Sequence, residues 1–207
     1  MKTTHYHLTL LGVGIVALIG SGFMARDFFT WVLEVSPAII GWIVLIATYR
    51  RFTFSNLVYT LILLHSFVLM YGGIYTYAET PFGYWMSDVF GWSRNNYDKI
   101  GHFMQGFVPA LIARELFVRL KVIALKRWLA WLVIAVTLAL SAFYEFIEWW
   151  ISLLSGSAGD AFLGTQGYIW DTQSDMLLCL IGTLAALIVL TRAHNASMQT
   201  HNRSAHS

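Results

Sequence analysis

Charge is almost absent from long stretches of this chain, and that absence restricts the folds open to it more than any other feature. Leu8 to Ala25, Phe52 to Ala78 and Met176 to Thr191 carry no Asp, Glu, Lys or Arg, and Phe28 to Tyr49 carries only Glu34. Trp128 to Leu154 holds Glu145 and Glu148, and Lys99 to Leu120 is amphipathic, with Arg114 and Glu115 near its far end. Each stretch is close to the ~20 residues that cross a ~30 Å hydrocarbon core as a helix. No segment alternates in the ten-residue pattern of a membrane barrel. Charged residues make up 12% of the chain, about half the ~25% of a soluble domain. The prediction is an all-α, polytopic integral membrane protein. It has a domain of about six transmembrane helices over residues 1–192 and a polar, disordered cytoplasmic tail over 193–207. Lys2 followed by an apolar run resembles a signal peptide, but Phe23 sits where cleavage after Ala25 would want a small residue, so the run reads as a first helix.

Orientation follows from the basic residues. Six spans place Lys2, Arg50, Arg51, Arg119, Lys121, Lys126, Arg127, Arg192 and Arg203 on one side and only Arg26 and Arg94 on the other. By the positive-inside rule both termini are cytoplasmic. The acids divide the opposite way, with Asp27, Glu34, Glu79, Asp88, Asp98, Glu145, Glu148, Asp160, Asp171 and Asp175 on or toward the outer side.

Several of these acids lie inside spans, where a charge costs about 2.5–3.5 kcal/mol even on lenient insertion scales. Depth and facing bring them together. His102 lies about 6 Å deeper than Asp98, and Gln105 about 10 Å. Glu148 and Glu145 lie about 9 and 14 Å below the outer end near Leu154, and Asp175 roughly 6 Å below Asp171. Asp98, His102 and Gln105 recur at i, i+4 and i+7, as do Ser141, Glu145 and Glu148, and Asp171 and Asp175 are i, i+4. Three polar stripes therefore meet at one depth in the outer leaflet.

Asp98, Glu145, Glu148, Asp171 and Asp175 have only Arg94 and Lys99 nearby as cationic partners. The remaining acids must be protonated, solvated in an outward-facing cavity, or bound to a cation. One imidazole among carboxylates suits zinc, manganese or magnesium. A hydrogen-bonded network that locks three helices together is the structural alternative. His65, mid-span without a charged neighbour on its helix, reads as a satisfied core histidine. Tyr71, Tyr75 and Glu79 climb one face toward the outer surface, and Trp149, Trp150 and Trp170 read as an interfacial belt. The Gly-rich loop from Ser155 to Gly167 reads as a flexible connection or as a re-entrant lid.

The sequence Tyr97-Asp98-Lys99-Ile100-Gly101-His102-Phe103, then Glu145-x-x-Glu148, then Gly164-Thr165-Gln166-Gly167 with Trp170-Asp171-Thr172-Gln173-Ser174-Asp175 resembles the YjdF-type bacterial inner-membrane proteins over nearly the whole chain. A more distant similarity is to the VanZ-like membrane proteins. They share an Asp-Lys-x-x-His helix start, a later Glu-x-x-Gln and a final Asp-x-x-x-Asn-x-x-Gly. Asp98, Lys99 and His102 match the first element, Glu148 replaces the Gln, and Asp175 and Gly182 match the last with Cys179 in place of Asn. The resemblance implies a cell-envelope location and a polar site, and names no reaction.

The residues lead to a pocket open to the periplasmic side of the bacterial inner membrane. Its leading use is a metal-dependent reaction on a membrane lipid or lipid-linked envelope substrate. Asp98, His102, Asp171 and Asp175 are the expected metal ligands, and Glu145 and Glu148 the expected catalytic carboxylates. The alternatives are a proton- or cation-coupled transporter and a non-catalytic binding or structural protein. Nothing points to nucleic acid. A transporter needs polar groups that continue to the cytoplasmic face, and below Gln105 and Ser141 there are few.

Overall fold

The computed structural model describes residues 3–155 and 166–205. The apolar runs and the amphipathic stretch become long helices that continue through Pro37 and Pro109: α1 (Thr3–Met24), α2 (Phe28–Thr48), α3 (Asn56–Tyr75), α5 (Tyr97–Arg119), α6 (Leu129–Ser155) and α7 (Asp171–Val189). Two further helices, α4 (Pro81–Phe90) and α8 (Thr191–Ala205), are shorter and lie outside the predicted spans. The described residues contain no strand. Starts and stops carry recognisable chemistry. Asp27 caps α2 by accepting a hydrogen bond from Thr30 N at 2.6 Å, and that amide holds its carboxyl below the usual carboxylate range. Thr80 Oγ1 caps α4 by accepting from Gly83 N, Pro81 follows at the first position, and Gly91 ends the helix at φ 67°.

Helix α5 packs against α7, α6 and α3, and α1 and α2 pack against α3. The closest approach is between α5 and α7. A Cβ at Gly106 would stand 1.8 Å from the carbonyl oxygen of Cys179, and one at Gly182 would stand 2.0 Å from that of Phe103. Thr183 Oγ1 reaches across to Gly106 O at 3.3 Å. Small residues are what allow membrane helices to meet backbone to backbone.

Five helices are long and apolar enough to cross a membrane: α1, α2, α3, α6 and α7. Helix α5 is long enough but carries Asp98, Lys99, Arg114, Glu115 and Arg119. It nevertheless runs the length of the bundle, with its polar groups turned to protein, as a membrane interior requires. At one end Arg26 N donates to Ile74 O, Phe82 N to Tyr71 Oη, and Arg94 pairs with Asp171. At the other end Arg119 donates to Thr53 O and Arg114 to Asn195. The six long helices therefore alternate in direction between an α4 end and an α8 end.

The tail corrects the sequence expectation. Residues 193–205 are not disordered, because α8 is helical from Thr191 to Ala205 and buries His194 and Met198 against the bundle. Its polar composition conceals an anchor. Glu115, on α5 and fully buried, accepts from Ser55 N at 2.8 Å, Ser55 Oγ at 2.7 Å, Arg119 Nη1 at 2.7 Å and His194 Nε2 at 3.0 Å. Arg114 Nη1 lies 3.1 Å from His194 Nδ1. A guanidinium only donates, so Nδ1 accepts and the ring proton sits on Nε2. This network closes the α8 end.

Candidate functional site

Between the two ends, the carboxylates of α5, α6 and α7 meet near the α4 end of the bundle. Asp98 and His102 project from α5 one turn apart, Glu145 and Glu148 from α6, and Asp171 and Asp175 from the first turns of α7, so each helix offers one face. All of these except Asp98 are buried, and Asp98 is partly buried.

Two sub-sites share Asp175. In the first, Lys99 Nζ stands 2.6 Å from Asp175, 2.9 Å from Asp171 and 3.4 Å from Asp98. Arg94 Nη2 adds contacts of 3.0 Å to Asp98 and 2.8 Å to Asp171. Tyr168 lays its ring against both cations, at 5.1 Å from the Arg94 guanidinium carbon and 5.8 Å from Lys99 Nζ. Gln166 clamps the turn before α5, donating to Asn95 O at 2.7 Å and accepting from Asn95 N at 3.2 Å. The carboxylates of Asp98 and Asp171 are thus neutralised by side chains of the protein itself.

The second sub-site has no cation of its own: Lys99 reaches it only through Asp175 Oδ1, the oxygen it contacts at 2.6 Å. His102 Nδ1 lies 3.8 Å from Glu145 Oε1, and His102 Nε2 lies 3.8 Å from Asp175 Oδ1. One ligand atom from each of His102, Glu145 and Asp175 fits within a 4.8 Å set. Ligands held 2.0–2.1 Å from a zinc ion stand roughly 3.3 Å apart, so one ring nitrogen and the two carboxylates would close by up to about 1.5 Å to supply three ligands, with further positions left to water. Gln105 Oε1 lies 3.1 Å from His102 Nδ1; accepting its proton leaves Nε2 as a ligand. Glu145 Oε1 is buried without a hydrogen-bond partner, an arrangement that is costly unless something else completes it.

Three of the four predicted metal ligands, Asp98, Asp171 and Asp175, come within 4.8 Å of one another with the Lys99 ammonium against each, and Asp175 also falls in a set with His102 and Glu145. That Lys99 reaches from α5 into the acid cluster is not revealed by helical spacing alone. A cavity of about 80 Å³ opens beside His102 and is lined by Asp98, Gln105, Glu148 and Asp175. Glu34, His65, Tyr77 and Tyr144 complete its wall from α2, α3, the turn after α3 and α6. Glu34 and His65 were not legible as site residues, since each stands alone on its helix. Tyr71 and Tyr75 serve the scaffold instead, Tyr71 accepting from Phe82 N and Tyr75 stacking beneath Arg26. Trp149, Trp150 and Trp170 are exposed on the surface. Residues 156–165, the core of the Gly-rich loop and of its lid reading, lie outside the described residues.

Toward the α8 end the cavity stops. Val108 and Leu111 of α5, Val133 of α6, Ala186 of α7 and Val58 of α3 form a buried apolar layer between it and the Glu115 network. Thr137, Thr183 and Cys179 above that layer bond one another or the backbone.

Comparison with known proteins gives a consistent picture of the class. Residues 6–196 match a family described as "Predicted membrane protein (DUF2238)". A protein of Escherichia coli (strain K12) named "Inner membrane protein YjdF" is 50% identical over 194 residues, covering 94% of this chain and 90% of that protein. No solved structure matches the chain.

Proposed function

Since this chain belongs to the DUF2238 family of predicted membrane proteins, we propose that it is an inner-membrane protein whose His102, Glu145 and Asp175 bind a divalent cation. That cation serves a hydrolytic reaction on a lipid or lipid-linked envelope substrate. The observation that carries this reading is the buried, unpartnered Glu145 Oε1 beside an imidazole and a second carboxylate. Zinc or manganese suits the mixed nitrogen and oxygen set best. An ion there would supply Lewis-acid chemistry and lower the pKa of a water in the adjoining cavity. Arg94 and Lys99 fix Asp98, Asp171 and Asp175, and so hold the α5 and α7 ligands in register.

The apolar layer at Val108, Leu111 and Val133 favours this reading over a transporter, because it interrupts any polar path to the α8 end. The relative's name and the distribution of Lys and Arg support an inner membrane with the α8 end cytoplasmic. The α4 end, with Phe82, Trp85, Phe90 and Trp92 exposed, then lies at the outer interface, where aromatic side chains concentrate. A cysteine placed at Asp88 should react with an impermeant maleimide in intact cells, and reaction only after inner-membrane permeabilisation would reverse the orientation.

Elemental analysis after dialysis against zinc, manganese or magnesium tests the site itself. Wild type in mild detergent should retain about one ion per chain, and His102→Ala should lose affinity by more than the 10–100-fold typical of removing a ligand's supporting partner. Wild-type protein that retains none of the three ions would sink the proposal.

A further inference from the structure

The cavity contains two carboxylates that the cation site leaves unexplained. Glu34 is 4% exposed and Glu148 9% exposed, and both line the cavity. Neither makes a hydrogen bond to any described residue. Their depths agree: Glu34 lies about 9 Å in from the start of α2 at Phe28, and Glu148 about 9 Å in from Leu154 near the end of α6. Arg94 and Lys99 cannot serve them, because both are engaged by Asp98, Asp171 and Asp175.

What would satisfy this pair is constrained by its surroundings. Among the described residues, no set of three His, Cys, Asp or Glu ligand atoms that includes Glu34 or Glu148 closes to within 4.8 Å. A second small metal ion therefore has no shell here. The rings of Tyr77 and Tyr144 share the wall with them, and tyrosine faces attract cationic nitrogen. The Tyr77 ring is fixed in place by glycines, since a Cβ at Gly72 would stand 2.6 Å from it and one at Gly101 3.0 Å. Carboxylates without donors accept from N–H or O–H groups, and a primary ammonium combines three such donors with a compensating charge, whereas a quaternary ammonium supplies the charge alone. The cavity, about 80 Å³, is roughly half of one that admits benzene, which suits an ammonium on a short alkyl arm. The neighbouring sub-site already displays the same chemistry with the Lys99 ammonium among Asp98, Asp171 and Asp175.

We infer that Glu34 and Glu148, walled by Tyr77 and Tyr144, form a seat for the primary ammonium of the substrate, so that the site takes an aminoalkyl compound. This rests on the cation-site reading for the role of the neighbouring His102, Glu145 and Asp175, and it names the substrate class for that site. With an aminoethyl phosphodiester, the ammonium enters between the two glutamates and the phosphodiester remains beside His102.

Binding to the purified full chain, measured by calorimetry with short-chain phospholipids that differ only in the head group, tests the inference. The wild type should bind the ethanolamine lipid at least tenfold more tightly than the choline or glycerol lipid. Free ethanolamine, run in parallel, separates the sources: equal affinity for it identifies a soluble amine, and weaker binding in the same order identifies the lipid. Glu34→Gln should remove the preference while retaining the bound metal ion. Equal wild-type binding of all three lipids would overturn the ammonium seat, with or without a metal, and needs no variant to fold. A clear ethanolamine preference in protein that binds no metal would preserve the seat and defeat the cation site instead.

Discussion

Gly106→Ala and Gly182→Ala are each expected to cost on the order of 3 kcal/mol or more, and the corresponding valine variants should not yield folded protein. The added methyl at Gly106 would fall 1.8 Å from Cys179 O, and that at Gly182 2.0 Å from Phe103 O. Overpacking usually costs about 1–3 kcal/mol because side chains can shift rotamers to relieve it. Here the opposing atoms are backbone, so only separation of α5 from α7 gives relief. That separation would also part Lys99 from Asp171 and Asp175, and His102 from Asp175. Gly41→Ala is the control, since nothing lies within 4 Å of its added Cβ. Size-exclusion profiles and melting curves in detergent decide the matter. A Gly106→Ala protein that melts with the wild type would show that the α5–α7 contact is looser than described.

Removing the Glu115 carboxylate should be nearly as damaging, at the far end of the bundle. Both of its oxygens are used, by Ser55 twice, Arg119 and His194, and the residue is fully buried. Deleting one member of such a buried pair typically costs about 3–5 kcal/mol, because the partner charge and donors remain without compensation. Glu115→Ala should therefore destabilise the protein and free α8, which His194 ties to α5. Limited proteolysis should cut within α8 in the variant and spare it in the wild type. Glu79→Ala, which breaks an exposed pair with Arg26, should change stability by no more than about 1 kcal/mol. Equal protection of α8 in wild type and Glu115→Ala would show that the helix is held by apolar contacts alone.

What the sequence revealed, and what it hid, divides along the range of the interactions. The long helices were legible because an apolar run near 20 residues has few other solutions, and α5 was legible as their amphipathic companion. The stripe of Asp98, His102 and Gln105, and that of Glu145 and Glu148, followed from helical periodicity. The roles within the cluster did not, because they depend on Lys99 and Arg94 crossing from α5 and the preceding turn to α7. Glu34 and His65 reach the cavity from helices that carry no other charge, and only tertiary packing brings them there. Helix α4 lies between two of the expected spans, where Thr80, Pro81 and Gly91 supply its cap, start and stop. Helix α8 was hidden by its polarity: its stability comes from burying His194 and Met198, not from an apolar run.

The central claim, that His102, Glu145 and Asp175 bind a divalent cation, is tested most directly by melting curves in detergent. These are recorded with chelator and then with zinc, manganese or magnesium, for wild type and His102→Ala. An ion that binds only the folded state at 100 times its dissociation constant adds about 2.7 kcal/mol, or roughly 5–10 °C for a chain of this size. The expected result is an upward shift of that order in the wild type with at least one of the three metals, and its near loss in His102→Ala. Wild-type curves that superimpose with chelator and with every metal would contradict the account.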